Sequence, residues 1–158
     1  MSLPADRAGP WSMLQNAIER VLNALDDLSV EELNSRPLEK TNSLYLLAIH
    51  TIGQAEENVV EFIGGTTVGR DRDAEFEAVT DDVAAMAAAR ERWDEARARI
   101  QEALESTPEE EWRRMRAHPR RGIEMDGLGI LSLAMSHASE HAGHADLTRQ
   151  WLLEQRAN

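Results

Sequence analysis

Four stretches of this chain place apolar side chains three and four residues apart, and that period leaves few choices of architecture, because residues so spaced line one face of an α-helix. Trp11, Leu14, Ile18, Val21, Leu25 and Leu28 mark the first stretch, over roughly 10–28. Pro10 stands there at a first-turn position, where its missing N–H is tolerated, and the nine residues before it carry no pattern and are expected to be flexible. Leu44, Leu47, Ala48, Ile52, Ala55, Val59 and Phe62 mark the second, from Asn42 or Ser43 to Ile63, with Gly64-Gly65 to end it. The third starts at Thr80 as N-cap and runs to about Leu104 through Val83, Met86, Trp93, Ala96, Ile100 and Ala103, around an alanine-rich middle of high helix propensity. Asp126 caps the fourth, from Gly127 to about Leu153. Ser29 with Glu32, and Thr107 with Glu110, repeat a capping-box pattern and predict two short helical turns.

Each amphipathic stripe must be buried against another, so the expected fold is all-α: a four-helix bundle without strands, one domain over residues 1–158. The segment 64–79 has glycines and charges but no period, and reads as a connector. Its 16 residues can span about 50 Å extended, against about 30 Å for a 20-residue helix, so the third helix is free to run parallel to the second. Nine glycines, five prolines and 4% aromatic residues are too few turn and strand formers for a multi-stranded sheet. Asp plus Glu outnumber Lys plus Arg by 29 to 17, a formal charge of -12 that argues against nucleic acid and membrane surfaces as partners and leaves small molecules. There is no cysteine, so any metal is held by histidine or carboxylate. The start MSLPADRAGP has no apolar run, and no segment approaches the roughly 20 apolar residues of a membrane helix, which predicts a cytoplasmic protein.

Three of the five histidines, His137, His141 and His144, fall within eight residues of the fourth helix. At about 100° per residue they project within an arc of roughly 60°, the arc of Ile130, Leu133, Ala134, Thr148, Trp151 and Leu152, and so toward the core. Each polar group left unpaired there costs about 1–3 kcal/mol, so partners are required: hydrogen bonds, or an ion chelated by histidines at i and i+4. A complete site needs a third donor from another helix. His50 in LAIHTIGQ is the candidate, since His118 lies in a loop among arginines. His50 aligns with Leu46, Leu47, Gln54 and Glu57 at the edge of the apolar stripe, a position open to either burial or exposure. Glu57 on that face is a candidate to orient its ring.

The segments NSLYLLAIHTIGQAEE (42–57) and SHASEHAGHADLTRQ (136–150) resemble the DinB-like superfamily of metalloenzymes, in the branch that includes mycothiol-dependent maleylpyruvate isomerase. The resemblance implies an up-down-down-up bundle with its crossover between the second and third helices. It also implies a divalent ion, zinc or nickel, held by His50, His137 and His141, and a low-molecular-weight thiol such as mycothiol or bacillithiol as a further cofactor. His144 stands where other members have glutamine, which leaves it a role behind the ligands, in substrate contact or as an acid/base. The family's name refers to DNA damage induction and carries no implication of DNA binding.

RRMRAHPRR (113–121) concentrates arginine in an acidic protein. Arg120 and Arg121 are candidates to grip an anionic substrate or thiol, the alternative being a solvated connector paired with nearby glutamates. The leading expectation is therefore a thiol-dependent S-transferase or isomerase acting on a small electrophile. The alternatives are a metal-dependent hydrolase and a non-catalytic helical bundle that dimerises, with the alanine- and charge-rich third helix as a homodimer contact.

Overall fold

The computed structural model describes residues 3–157 as seven α-helices and one short hairpin. Four of them make the bundle: α1 (Ala5–Asn23), α3 (Leu44–Glu56), α5 (Ala85–Ser106) and α7 (Gly127–Arg156). The short helices α2 (Val30–Asn34), α4 (Arg72–Phe76) and α6 (Glu109–Arg113) sit in the connections. α3 continues through Glu57–Ile63 as a π-helical segment, a form that tends to occur at functional sites. The shared core contains Leu14, Ile18, Leu47, Ile52, Ile100 and Ile130, all fully buried. Among the described residues no helix is long and apolar enough to cross a membrane.

Side-chain pairings give the helix directions. Arg20 meets Asp146 and Arg149 caps the carbonyls of Ala24 and Asp26, so α1 and α7 advance together. Glu56 meets Arg92 and Arg99, and a side chain on Gly64 would meet Ala103, so α3 and α5 also run parallel. Trp11 donates to Gln101 while Arg90 reaches Asp26, which sets α1 against α5 in opposite senses. The result is the up-down-down-up bundle, with the crossover between α3 and α5.

Several boundaries differ from expectation for reasons that lie far along the chain. α1 starts at Ala5, within the stretch expected to be flexible, because Arg7 is buried: its Nη1 donates to the carbonyl oxygens of Leu104 (2.7 Å) and Thr107 (2.8 Å) and its guanidinium lies over Trp112. α1 ends at Asn23, and Leu25 and Leu28 remain buried in the turn that follows, where Asp27 takes φ +61°. α5 starts at Ala85 rather than Thr80, because the backbone of Thr80 is held on both sides by the Asn34 amide of α2. The connector is not wholly irregular: Asp71 caps α4 by accepting from the Ala74 N–H (3.0 Å). Finally, where no strand was expected, β1 (Arg116–Ala117) and β2 (Glu124–Met125) pair antiparallel in a hairpin too short to show a period.

Candidate metal centre

The antiparallel contact of α3 with α7 sets His50 beside the histidines of α7. The His50 ring centroid is 5.2 Å from that of His137 and 5.3 Å from that of His141, which are 4.3 Å from each other. One nitrogen from each ring lies within 4.8 Å of the other two. His50 is buried, which decides the ambiguity of its edge position. The Nε2 atoms of His137 and His141 are 3.2 Å apart, close to the roughly 3.3 Å separating two ligands at about 2.05 Å from a tetrahedral ion. Burial, reinforced by the neighbouring histidines, pulls the pKa of His137 down to about 3 and that of His141 to about 4, so both rings are neutral near pH 7, the form that ligates a cation. Their Nδ1 atoms are buried without a hydrogen-bond partner among the described residues. The donor set thus fits a divalent cation: three imidazoles from two helices, two of them held neutral by burial.

The group that orients His50 is Glu75, not Glu57. The His50 Nδ1–H donates to Glu75 Oε2 (3.0 Å), which turns the Nε2 lone pair toward the other two rings, an arrangement common behind metal-bound histidines. Glu75 arrives on α4, in the crossover whose sequence shows no helical period. The only local signal was the Asp71 cap. Gly53 makes room for it: a Cβ there would overlap Glu75 Oε1. Phe76, next along α4, packs its ring 4.8 Å from that of His50. Arg70 clamps Glu75 with Nε (2.7 Å) and Nη2 (2.5 Å) and extends Nη1 to Glu57 Oε2 (2.8 Å). Arg120 grips Glu57 with Nε (2.9 Å) and Nη2 (2.6 Å). Burial pushes both glutamates up, but the arginine hydrogen bonds outweigh it and hold them below the usual carboxylate range.

Above the histidines opens a cavity of about 530 Å³, lined among others by His50, His137, Gln54, Arg70, Arg120 and Arg121. Its arginine wall is built rather than loose. The buried His118 donates from Nε2 to Asn58 Oδ1 (2.9 Å) and accepts the Arg120 backbone N–H at Nδ1 (3.2 Å), while Asn58 is itself tied to the Gln54 carbonyl. Gly122, at φ +65°, lets the hairpin turn back on itself. The structure thus brings Arg120 and Arg121 to the histidine cavity but gives Arg120 to Glu57. His144 departs from expectation: it is exposed, its ring centroid 5.7 Å from that of His141, at a second cavity of about 400 Å³ lined by Leu47, Leu147 and Trp151. Trp11 and Trp93 are core residues, with ring centroids 6.1 Å apart.

A family model described as the DinB superfamily matches residues 13–145. Among curated proteins none matches the sequence. Three solved structures share the fold. YfiT from Bacillus subtilis, described as "a probable metal-dependent hydrolase with an unusual four-helix bundle topology", superposes with a TM-score of 0.73 at 14% identity over 96% of this chain and 90% of its own. A conserved protein from Enterococcus faecalis gives 0.71 at 16% identity, covering 94% of this chain and 97% of its own. The DinB-like protein YjoA from Bacillus subtilis gives 0.64 at 18% identity, with 90% of each chain covered.

Proposed function

The chain belongs to the DinB superfamily, and from that premise we propose that it is a metal-dependent enzyme in which His50, His137 and His141 hold one divalent cation, zinc or nickel, at the floor of the arginine-walled cavity. The observation that carries this reading is the convergence of three imidazole nitrogens within 4.8 Å, with the third ring fixed by Glu75. A cation there would supply Lewis acidity, which lowers the pKa of a coordinated thiol or water toward neutrality. The chain supplies the rest: two rings held neutral by burial, one ring held in a single tautomer, and a cavity open to small molecules.

Within that frame the reaction is a thiol-dependent S-transfer or isomerisation of a small electrophile. Glu57 and Glu75, the carboxylates nearest the histidines, are both locked by arginine and held ionised at low pKa, which makes them weak general bases for activating water. A thiol needs less help, being far more acidic than water, and with no cysteine in the chain it comes from a separate molecule. Hydrolysis by a bound water is the second reading, favoured by the fold shared with YfiT. Elemental analysis of protein purified without a histidine tag tests the metal, with about one zinc or nickel per chain expected and lost in His137→Ala. Turnover of a small electrophile that proceeds equally with and without mycothiol, bacillithiol or glutathione would reject the thiol reaction and leave the hydrolytic one.

A further inference from the structure

The cavity over the histidines is cationic in a protein of formal charge -12: four arginines line it, Arg70, Arg72, Arg120 and Arg121, against one glutamate, Glu57. These arginines divide into two kinds. Arg70 and Arg120 spend their forks on Glu57 and Glu75, and so build the wall. The guanidinium groups of Arg72 and Arg121 have no hydrogen bond or ion pair to any described residue; Arg72 rests its own 4.7 Å from the centroid of the Phe76 ring. They are not tethered at random. Arg72 is on α4 beside Glu75, and Arg121 follows the residue whose backbone the buried His118 holds. The buried Gln54 also lines this cavity, and its Oε1 has no hydrogen-bond partner among the described residues.

We propose that Arg72 and Arg121 form an oxyanion subsite at this cavity, so that the small molecule taken by the site carries a carboxylate or phosphate at one end while its reactive end faces the histidines. Two unpaired guanidinium forks at one opening suit a planar or tetrahedral oxyanion, which each can meet with paired N–H donors. Two positive charges without an ion-pair partner among the described residues also draw small anions to this opening. The inference rests on the proposed metal centre only for which end reacts; capture of the oxyanion is a property of the arginines alone.

Calorimetric titration with succinate and, separately, inorganic phosphate tests it, on the full chain in low salt, once after chelator treatment and once with one equivalent of zinc. One saturable site per chain is expected for at least one of the two anions in the chelated protein, with the preferred probe identifying the oxyanion. Arg121→Ala and Arg72→Ala should each raise the Kd on the order of tenfold, the loss of one charge-assisted contact. Arg97→Ala, which removes the same charge from the exposed face of α5, should leave it unchanged. Circular dichroism confirms that each variant is folded. Absence of saturable binding by either anion overturns the subsite, as does equal weakening by Arg97→Ala. Binding that requires zinc and survives both cavity substitutions overturns it as well and leaves the metal centre standing. Arginine-dependent binding in a protein that takes up no zinc supports the subsite and rejects the metal centre.

Discussion

The side chains of Arg7 and Arg70 are both buried, and both tie together different segments of the chain, yet they do different things. Arg7 donates to two carbonyl oxygens at the end of α5 and to Glu109 (3.2 Å), and covers the Trp112 ring. Nothing it holds goes on to hold anything at the histidines. Arg70 instead holds Glu75, which holds His50, and Glu57, which holds Arg120 at the cavity wall. Burial of an arginine therefore does not mark a functional site. What its partners orient does.

The comparison breaks most readily at Arg7. Replacing it with alanine strands two buried carbonyls and removes the cover from Trp112, at a cost of about 3 kcal/mol. For a domain of this size that lowers the melting temperature by roughly 10 °C. Metal content of the folded fraction should not change. A Arg7→Ala protein that melts normally, or that loses its metal while still folded, would erase the distinction drawn between the two arginines.

Glu75 gives the next effect and the opposite pattern. Glu75→Gln keeps the shape but loses the carboxylate that fixes the His50 tautomer, and zinc affinity should fall about 10- to 100-fold, as for other carboxylates behind metal-bound histidines. Gly53→Ala should act in the same direction without touching a charge, since its Cβ takes the space of Glu75 Oε1 and the carboxylate must move away. Competition with a chromogenic zinc chelator measures both. Unchanged affinity in both variants would mean that the ring of His50 is oriented by packing on Phe76 alone.

The same contrast explains what could be read from the sequence. The bundle, its order of helices and the pair His137 and His141 are periodic features, set by residues three and four apart, and a period survives without knowledge of the fold. His50 was legible as a donor but not as a buried one, because it lies at the edge of its stripe and its burial comes from α4. Arg7, Arg70 and Glu75 carry no periodic signal: each is a charged residue in a polar stretch, and its partner is either on another element or reached only after a turn. The crossover therefore looked like a spacer although it supplies the carboxylate behind the site. His144 failed in the other direction. Its angular position matched the two half-buried histidines, but the ring is exposed, at a separate cavity beside Leu47, Leu147 and Trp151.

A third arginine, Arg156, completes the series at the surface and should have the smallest effect. It donates to Glu32 with Nε (2.5 Å) and Nη2 (2.6 Å) and to the carbonyl of Asp27 (2.8 Å), fastening the end of α7 to α2. The Arg156 hydrogen bond, with the Ser29 backbone N–H behind it, lowers the pKa of Glu32 from 4.5 to about 2. A carboxylate whose pKa falls on folding stabilises the fold above its unfolded value and loses that contribution as pH drops toward the folded one. The stability difference between the natural protein and Glu32→Gln should therefore be constant above about pH 5.5, shrink between 4.5 and 2, and vanish below. Solvent screening of so exposed a pair keeps the whole difference small, and salt should shrink it further. Urea denaturation at a series of pH values measures this. A gap that widens as pH falls would mean that Glu32 is held by its neutral form, and that even the outermost arginine contact is not the ion pair its geometry describes.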